Sequence, residues 1–561
     1  MGPPKDNEYT YAPLVKYYCQ PIRLLKILPG FSSTAICCEL FSTYIKPSDD
    51  PQTPPSYLET LRSQLGRSER NISYTALSYV WGDAKDRVII RVNGKDLWIT
   101  RNLWIFLDRH RRTFSSRLKT REFFWIDAIC IDQGNVEERS KQVAFMADIY
   151  RKAKMVLVWL GEGDLESHKT FNTIKLRGMN LPWPEGECLA DTPIFQTGYW
   201  DRLWIIQEIF HARRITVRCG TLEVDWELLI KALHGETEPP CLEVQKFRKS
   251  SGGHLGYDVL CQFGRKASSD PRDAVYALRS LAPSLMKLVP DYSLSTIDVF
   301  TTATRAIITS PPSLVFLDNL MLEQPWGARI SRLEGFPSWV PDWRMNYRFF
   351  STIYPSFPSY SGGGHPVGYK WEQWEQWQLL AHPNPRILLL KGIPVDFVIH
   401  TTELWQGPDP RTLRQTKKQL QNWLPGCETS LRKLWDLDHE RVTSSGLLEE
   451  FARQRGFNIS IPASERKFSS DEWGWLSALT GNALVITKSG YRGFVSGKPK
   501  VNDLIFVAYR AEYPYILRKV GGSESESFSL IGKAMIEGLM AGEALGLHMQ
   551  GKLSERNILL V

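Results

Sequence analysis

A glutamate in the middle of an apolar helical segment is the first residue of this 561-residue chain whose setting suggests chemistry. Glu208 lies between two isoleucines and four residues after Trp204, so the carboxyl and the indole share one face of a helix. A carboxyl in an apolar setting can exchange a proton near neutral pH or stabilise a developing positive charge. Glu208 therefore either belongs to a reactive site or forms a structural ion pair with Arg202 or Arg213.

Polar side chains also follow the first two strands that the sequence predicts. Asp83 comes after the strand at residues 74–80, and Asp132 directly follows the strand at residues 123–131. Ligands of open parallel sheets bind beyond the carboxyl ends of the strands, although Asp83 would equally cap a turn. The predicted catalytic residue is Glu208, and the predicted substrate-binding residues are Ser78, Trp81, Asp83, Asp127, Asp132, Gln133 and Trp204.

The sequence gives little support for a metal site, a disulfide framework or a nucleophilic cysteine. The ten histidines form neither H-x-x-x-H nor H-E-x-x-H, so we expect no metal site. Nine cysteines without a C-x-x-C pair indicate neither a disulfide framework nor a zinc ribbon. Cys130 lies between two isoleucines with no histidine nearby in sequence, and we expect it to be a core thiol. Trp81, Trp125 and Trp159 could stack on a base or a nicotinamide, but anchoring helices to the sheet is the role that we expect.

Short apolar segments alternate with amphipathic ones over about 150 residues, which is typical of a mainly parallel sheet flanked by helices. The predicted strands are residues 74–80, 123–131, 155–160 and 214–219, and the predicted helices are residues 101–109, 137–153 and 199–212. Residues 88–99 predict a hairpin that turns at Asn93-Gly94. We expect Thr100 to cap the first helix. Residues 22–28 predict an edge strand or an arm.

The chain is predicted to have four parts. Residues 1–60 form an arm and a Pro-rich linker, and residues 60–285 form the α/β domain, with its core motifs at 74–220. Residues 286–480 are a mixed α+β region rich in Pro and Trp, with a broken helix at 410–438. Residues 481–561 predict a small β unit closed by a helix.

Composition narrows the function classes. The formal net charge of +8 is small for a chain of 561 residues, so we expect no nucleic-acid partner. We expect neither a signal peptide nor a transmembrane segment, because the first residues are polar and no run approaches 18 apolar residues. Unpaired cysteines fit a reducing compartment, and the expected location is the cytoplasm.

Three sequence blocks carry a family resemblance: YTALSYVWGD at 74–83, FWIDAICIDQ at 124–133, and the segment from Glu138-Arg139 to Trp159-Leu160-Gly161. Their order and spacing resemble the fungal heterokaryon-incompatibility (HET) domain. Further blocks at 200–208, 270–278, 337–343 and 532–543 extend the likeness over nearly the whole chain, as in the large proteins of fungal incompatibility loci. Asp132 departs from the pattern, since the family usually has Asn before Gln133, and the tail lacks an expected Cys and Asp.

The resemblance implies a role in non-self recognition between fungal strains that ends in growth arrest or cell death. HET domains are in turn similar to Toll/interleukin-1 receptor (TIR) domains, which are flavodoxin-like α/β units. Some TIR domains hydrolyse NAD with a glutamate in a W-C-x-x-E-type motif, and the stretch from Trp204 to Glu208 is similar to it. By this analogy Glu208 would hydrogen-bond the ribose next to nicotinamide and stabilise an oxocarbenium-like charge.

Two biochemical hypotheses follow. The protein is an NAD glycohydrolase, with NAD as its substrate and no bound cofactor, or it is a non-enzymatic module that signals cell death through assembly. Its partner would be an incompatibility partner protein or further copies of the same chain. A convergent pocket with Glu208 and Asp83 at the strand ends would favour the enzyme, and a site filled by tryptophan would favour the module.

Overall fold

The computed structural model describes two compact units, formed by residues 1–254 with 266–295 and by residues 255–265 with 296–561. The described residues are 7–14, 20–30, 34–45, 72–113, 122–183, 188–236, 239–250, 254–264, 266–309, 314–318, 334–344, 382–405, 481–509, 511, 513–521, 526–536, 538–540 and 542–561. The predicted linker at residues 46–57 and the predicted helix at residues 410–438 lie outside them. The division of the chain into four parts stays a prediction.

The first unit is built on a nine-stranded mixed sheet in the order β5-β4-β2-β1-β6-β3-β7-β8-β9. Its strands are β1 (Gln20–Ile27), β2 (Cys37–Ile45), β3 (Tyr74–Tyr79), β4 (Arg87–Val92), β5 (Lys95–Thr100), β6 (Phe123–Trp125), β7 (Met155–Trp159), β8 (Ile215–Cys219) and β9 (Leu222–Asp225).

Four neighbouring strands at the centre of this sheet are parallel. β6, β3, β7 and β8 pair in that order, with Ala76 opposite both Trp125 and Val156. The prediction that these four segments share a parallel arrangement is confirmed. The pairs β1–β2, β1–β6, β4–β5 and β8–β9 are antiparallel, so the whole sheet is mixed instead of mainly parallel.

Two predicted strands differ from the structure. The segment at residues 22–28 is an interior strand, since β1 pairs with β2 on one side and β6 on the other. The strand predicted at 123–131 stops at Trp125, and the chain then forms a short helix, so Asp127 lies on a helical turn and not inside a strand. An unbroken apolar run does not distinguish a buried strand from a buried helical turn.

The predicted hairpin is present, and Asn93 and Gly94 both have positive φ, as its tight turn requires. Thr100 does not act as the predicted cap, because its buried hydroxyl has no hydrogen-bond partner among the described residues.

The first unit also contains helices. They are α1 (Arg101–Thr113), α2 (Asp127–Cys130), α3 (Val136–Lys152), α4 (Leu165–Gly178), α5 (Ile205–His211), α6 (Trp226–Ala232), α7 (Pro240–Lys249), α9 (Asp273–Tyr276) and α10 (Pro283–Met286). Helix α8 (Gly256–Phe263) belongs to the second unit. α3 confirms the predicted amphipathic helix: Asn135 accepts a hydrogen bond from the Glu138 amide at its start, and Met146 and Tyr150 are buried. The helix predicted at 199–212 begins only at Ile205.

The central strands are anchored by tryptophan side chains with no solvent exposure. Trp125 packs edge-on against Tyr150 of α3, with ring centroids 5.5 Å apart. Trp159 packs against Phe106 of α1 at 5.6 Å. Each ring therefore joins the end of a strand to a covering helix.

Replacing either Trp125 or Trp159 by Ala should lower the free energy of unfolding by about 3 to 5 kcal/mol, because each change empties a large buried volume. Denaturant titration of the full chain checks this. Trp98→Ala is the matched control, since that ring is 51% exposed, and it should change stability by less than about 0.5 kcal/mol. An unchanged midpoint for Trp125→Ala would show that its ring is not a core anchor.

A buried ion pair links the N-terminal strand to α3. The Arg23 guanidinium on β1 donates to both carboxyl oxygens of Glu138, at 2.6 and 3.0 Å, and to the Cys130 carbonyl oxygen at 3.0 Å. Glu138 also accepts the Asp132 amide at 2.8 Å. Burial lowers the pKa of Arg23, but the Glu138 carboxylate outweighs this and the pKa is raised.

Replacing Arg23 by Met should cost about 3 to 5 kcal/mol of stability, because the Glu138 carboxylate would be left buried and unpaired. Lys26→Met is the matched control on the same strand. Lys26 pairs with Glu39 at 2.9 Å in an exposed position, so its loss should cost about 1 kcal/mol or less. Equal losses in denaturant titrations of the two variants would contradict the special role of the buried pair.

The second unit contains a closed β-barrel. Its strands are β10 (Leu388–Thr401), β11 (Asn482–Thr487), β12 (Arg492–Ser496), β13 (Leu504–Ala508), β14 (Tyr515–Val520), β15 (Ser527–Ile536) and β16 (Arg556–Leu560), with helices α11 (Thr296–Thr309), α12 (Val315–Asp318) and α13 (Glu543–Met549). Pairing of β10 with β11 closes the ring β11-β12-β15-β14-β13-β10, and β16 adds to β10 and β15. The predicted strands and the helix of residues 481–561 are present, but the barrel also includes β10 from the predicted mixed region, and β16 follows the helix.

Close approach of two strands in this barrel requires glycine. A Cβ atom at Gly532 of β15 would lie 1.7 Å from the Ser496 carbonyl oxygen, and one at Gly493 of β12 would lie 1.9 Å from the Met535 carbonyl oxygen. Both positions exclude every larger side chain.

Candidate functional site

Glu208 lies on the first turn of α5 and is only 1% exposed. Its Oε2 atom has no hydrogen-bond partner in the part of the chain that the structure describes. Burial raises the pKa of Glu208 to about 7, although the Arg202 guanidinium and the nearby hydroxyls of Ser78 and Tyr150 favour the charged form. A buried carboxyl that titrates near neutrality is typical of a functional site.

Hydroxyl groups of strand β3 and α3 surround this carboxyl. The Ser78 hydroxyl lies 2.7 Å from the Tyr199 hydroxyl, and both side chains are buried. The Tyr150 hydroxyl donates to the Leu77 carbonyl oxygen at 3.3 Å. Burial and the Glu208 charge both raise the pKa of Tyr150, so this phenol stays protonated and can donate a hydrogen bond.

Arg202 provides the positive charge of the site. Its guanidinium donates to the Tyr79 carbonyl oxygen at the end of β3. Burial by itself lowers the pKa of Arg202, but the carboxyls of Glu208 and Asp127 raise it above its usual value. One guanidinium thus lies between two carboxyls, and the cluster carries net negative charge when both are ionised.

Asp127 connects the cluster to the surface. Its carboxyl accepts hydrogen bonds from the Trp81 indole at 2.8 Å and from the Ala128 amide at 2.7 Å. Burial raises the pKa of Asp127, against the opposing effects of Arg202 and Trp81. Trp81 is 38% exposed and both Asp127 and Arg202 are half-buried, so the cluster reaches the surface on this side while Glu208 itself is buried.

The other predicted substrate-binding residues lie outside this cluster or support it through the backbone. Asp83 is exposed and accepts the Lys85 amide at 2.8 Å, and Asp132 accepts the Gly134 amide at 3.1 Å, so both stabilise turns. Gln133 donates to the Asp127 carbonyl oxygen at 3.0 Å. The Trp204 indole donates to Asp273 at 3.1 Å. The roles that the sequence suggested for these residues stay predictions.

Several residues of the site were not candidates from sequence. Tyr150 was not singled out from the sequence as a site residue, and Arg202 was considered only as the partner of a structural ion pair. Asn102 donates to the Val80 carbonyl oxygen at 2.5 Å and accepts the Trp159 indole at 3.2 Å, which holds the chain just before Trp81. No local pattern marks Asn102, because its role depends on strand β7 lying beside β3.

The arrangement can bind a polar group that donates to Glu208 and can exchange a proton with it near pH 7. The described residues contain no group of three or more His, Cys, Asp or Glu side chains that could hold a metal ion. Within the described ranges, no helix has the length and apolar character needed to cross a membrane.

The α/β sheet with this cluster and the separate barrel each correspond to a known domain. Residues 74–208 match the family model of the heterokaryon incompatibility protein (HET) domain, and residues 389–551 match the Het-6 beta-barrel domain. The chain therefore contains two recognised domain types in this order, a HET domain and a Het-6 beta-barrel domain. It is 24% identical over 686 aligned positions to heterokaryon incompatibility protein 6, OR allele, of Neurospora crassa, which covers 93% of this chain and 94% of that protein. No solved structure matches the chain.

The raised pKa of Glu208 predicts a pH-dependent effect of Glu208→Gln on stability. The carboxyl ionises near pH 4.5 in the unfolded chain and at about pH 7 in the folded one. Between these values only the folded state holds the proton, so the wild type should lose stability as pH rises, by up to about 1.4 kcal/mol per pH unit. The amide variant lacks this loss, and we expect it to gain relative stability from pH 5 to pH 8 in denaturant titrations.

Glu137→Gln is the control for this pH series, since Glu137 is fully exposed on α3 and its pKa is lowered by Lys141. Its stability relative to the wild type should not change over the same range. If the wild type instead gained stability over Glu208→Gln with rising pH, the native state would be holding Glu208 as a paired carboxylate.

Proposed function

We propose that this protein is an incompatibility effector of a fungus, which arrests growth or kills the cell after non-self recognition, and that its HET domain acts as an NAD glycohydrolase. The observation that carries the chemistry is the buried Glu208 carboxyl, which has a pKa of about 7 and whose Oε2 atom finds no hydrogen-bond partner among the described residues. The match to the HET domain and the similarity to the Neurospora crassa heterokaryon incompatibility protein support the biological role.

The charge of the cluster suits a cationic reacting group. NAD carries a positive charge on its nicotinamide ring, and two carboxyls around one guanidinium favour such a charge over an anionic one. As the glycosidic C–N bond breaks, its electron pair goes to the nicotinamide nitrogen and the sugar takes on oxocarbenium character. Ionised Glu208 would accept a hydrogen bond from the ribose and stabilise that charge, and a water molecule would add to the sugar carbon and release a proton.

The proposal includes a TIR-like, flavodoxin-like core. The four parallel strands β6, β3, β7 and β8 support this comparison, as does the position of the cluster at the carboxyl end of β3. We place the action of the protein in the cytoplasm, where NAD is available and buried thiols such as Cys130 and Cys241 stay reduced.

A second candidate is a non-enzymatic module that signals by assembly with an incompatibility partner or with further copies of the chain. The burial of Glu208 favours it, because a carboxyl that is 1% exposed reaches a substrate only if the covering side chains move. Under this hypothesis the three charges of Glu208, Arg202 and Asp127 are structural.

Incubation of the purified full chain with NAD distinguishes the two functions. The enzyme should release nicotinamide from NAD but not from NADH, whose ring carries no positive charge. Glu208→Gln should reduce the rate by about 100-fold or more, as the loss of an electrostatic stabiliser usually does, while its melting temperature does not fall below that of the wild type. Glu137→Gln is the matched control, because Glu137 is fully exposed on α3 and lies outside the cluster, and it should retain the activity of the wild type.

Expression of the same variants in a fungal host connects the chemistry to toxicity. The glycohydrolase proposal requires Glu208→Gln to be stable and non-toxic. A wild type that is toxic but releases no nicotinamide would favour assembly, and a stable, toxic Glu208→Gln variant would show that Glu208 has no catalytic role.

A further inference from the structure

An apolar strip with a basic border lies on the outer face of the barrel. Along β10, Asp396 and Val398 are buried while Phe397 and Ile399 are each 51% exposed. Alternate residues of a strand point to opposite faces, so Phe397 and Ile399 share the outer face of the strand. Val501, which is 53% exposed, lies beside them, because the amide of its neighbour Asn502 donates to the Val398 carbonyl oxygen at 2.8 Å.

Two loops flank this part of β10, one on each side. The loop at residues 488–491 follows β11, and the Lys488 amide donates to the Phe397 carbonyl oxygen at 3.0 Å. The loop at residues 497–503 precedes β13, and its Asp503 carbonyl oxygen accepts the Val398 amide at 2.9 Å. The strip therefore consists of Phe397, Ile399 and Val501 between two loops whose positions are fixed by main-chain hydrogen bonds.

Both loops are basic. They contain three exposed lysines, Lys488, Lys498 and Lys500. The acid in these loops, Asp503, is 2% exposed and is neutralised by Arg518, with oxygen–nitrogen distances of 2.8 and 2.9 Å. Asp396 is also buried and accepts the Ser489 amide at 2.7 Å. Glu403 is an exposed acid, but it follows the end of β10 at Thr401 and belongs to neither loop.

We propose that this strip, comprising Phe397, Ile399, Val501 and the three lysines, binds the surface of a membrane that contains anionic lipids. The outer face of a closed barrel is convex, and a fluid lipid surface adapts to a convex protein. Apolar side chains enter the interfacial region, and lysines reach the head groups with their charged ends. Each basic residue adds to the attraction to anionic lipid, and the effect weakens with salt.

Co-sedimentation of the full chain with vesicles tests the proposal. The wild type should bind phosphatidylcholine vesicles that contain phosphatidylserine, should bind pure phosphatidylcholine vesicles much less, and should lose binding at high salt. The double variants Phe397→Ser with Ile399→Ser, and Lys488→Glu with Lys500→Glu, should each weaken binding about tenfold or more. Their melting temperatures should stay close to that of the wild type, because all four side chains are solvent-exposed.

Met549→Ser is the matched control, since Met549 is 71% exposed at the end of α13 in the same unit and does not belong to the strip. It should bind vesicles like the wild type. Equal binding to both kinds of vesicle, no binding to either, or full binding by the double variants would overturn the proposal. Dimers that form without vesicles and are lost in Phe397→Ser with Ile399→Ser would show that the strip binds a second copy of the chain.

Discussion

The buried Arg23–Glu138 ion pair is the constraint on which the first unit most depends. A guanidinium removed from water needs partners for its N–H groups, and Arg23 finds them in a carboxylate and in the carbonyl oxygens of Cys130 and Ala12. The chain from Ala12 to Glu138 therefore has to bring together the N-terminal arm, β1, the end of α2 and the start of α3. The Tyr11 ring packs against the same guanidinium at 4.9 Å.

This constraint also places the candidate site. The turn between β6 and α3 packs around Arg23. Asp127 therefore begins α2 just beyond the end of β6, and its carboxyl accepts a hydrogen bond from the Trp81 indole. The Arg202 guanidinium donates to the Tyr79 carbonyl oxygen at the end of β3, and it acts on both Asp127 and Glu208. Two carboxyls then share one guanidinium, which explains why burial leaves the pKa of both Asp127 and Glu208 raised. Buried polar groups that are only partly satisfied cost stability, and proteins tolerate them mainly at functional sites.

The backbone groups of the edge strands find hydrogen-bond partners in different ways in the two units. The open sheet of the first unit ends at β5, and the N-terminal arm covers part of this edge: the Tyr9 amide donates to the Asp96 carbonyl oxygen at 2.9 Å, and the Asp96 amide donates to Asn7 at 2.8 Å. The barrel of the second unit closes on itself, which satisfies the strand edges internally. Because the edges are paired, the outer surface can carry exposed apolar side chains on β10 and lysines on the two loops beside it.

The sequence by itself determined the elements whose signals are local. Periodicity in α3, β-branched and apolar runs in β3 and β7, and the Asn93-Gly94 turn each depend on residues close together in the chain, and all were predicted. The position of Glu208 among isoleucines also showed that its carboxyl would be unusual. Tertiary structure decided the rest. Apolar residues alone could not show that the second strand ends at Trp125, that β1 lies inside the sheet, or that Asp127 and Tyr150 lie near Glu208. Each of these depends on contacts between residues far apart in the chain, and local physical preferences do not extend that far.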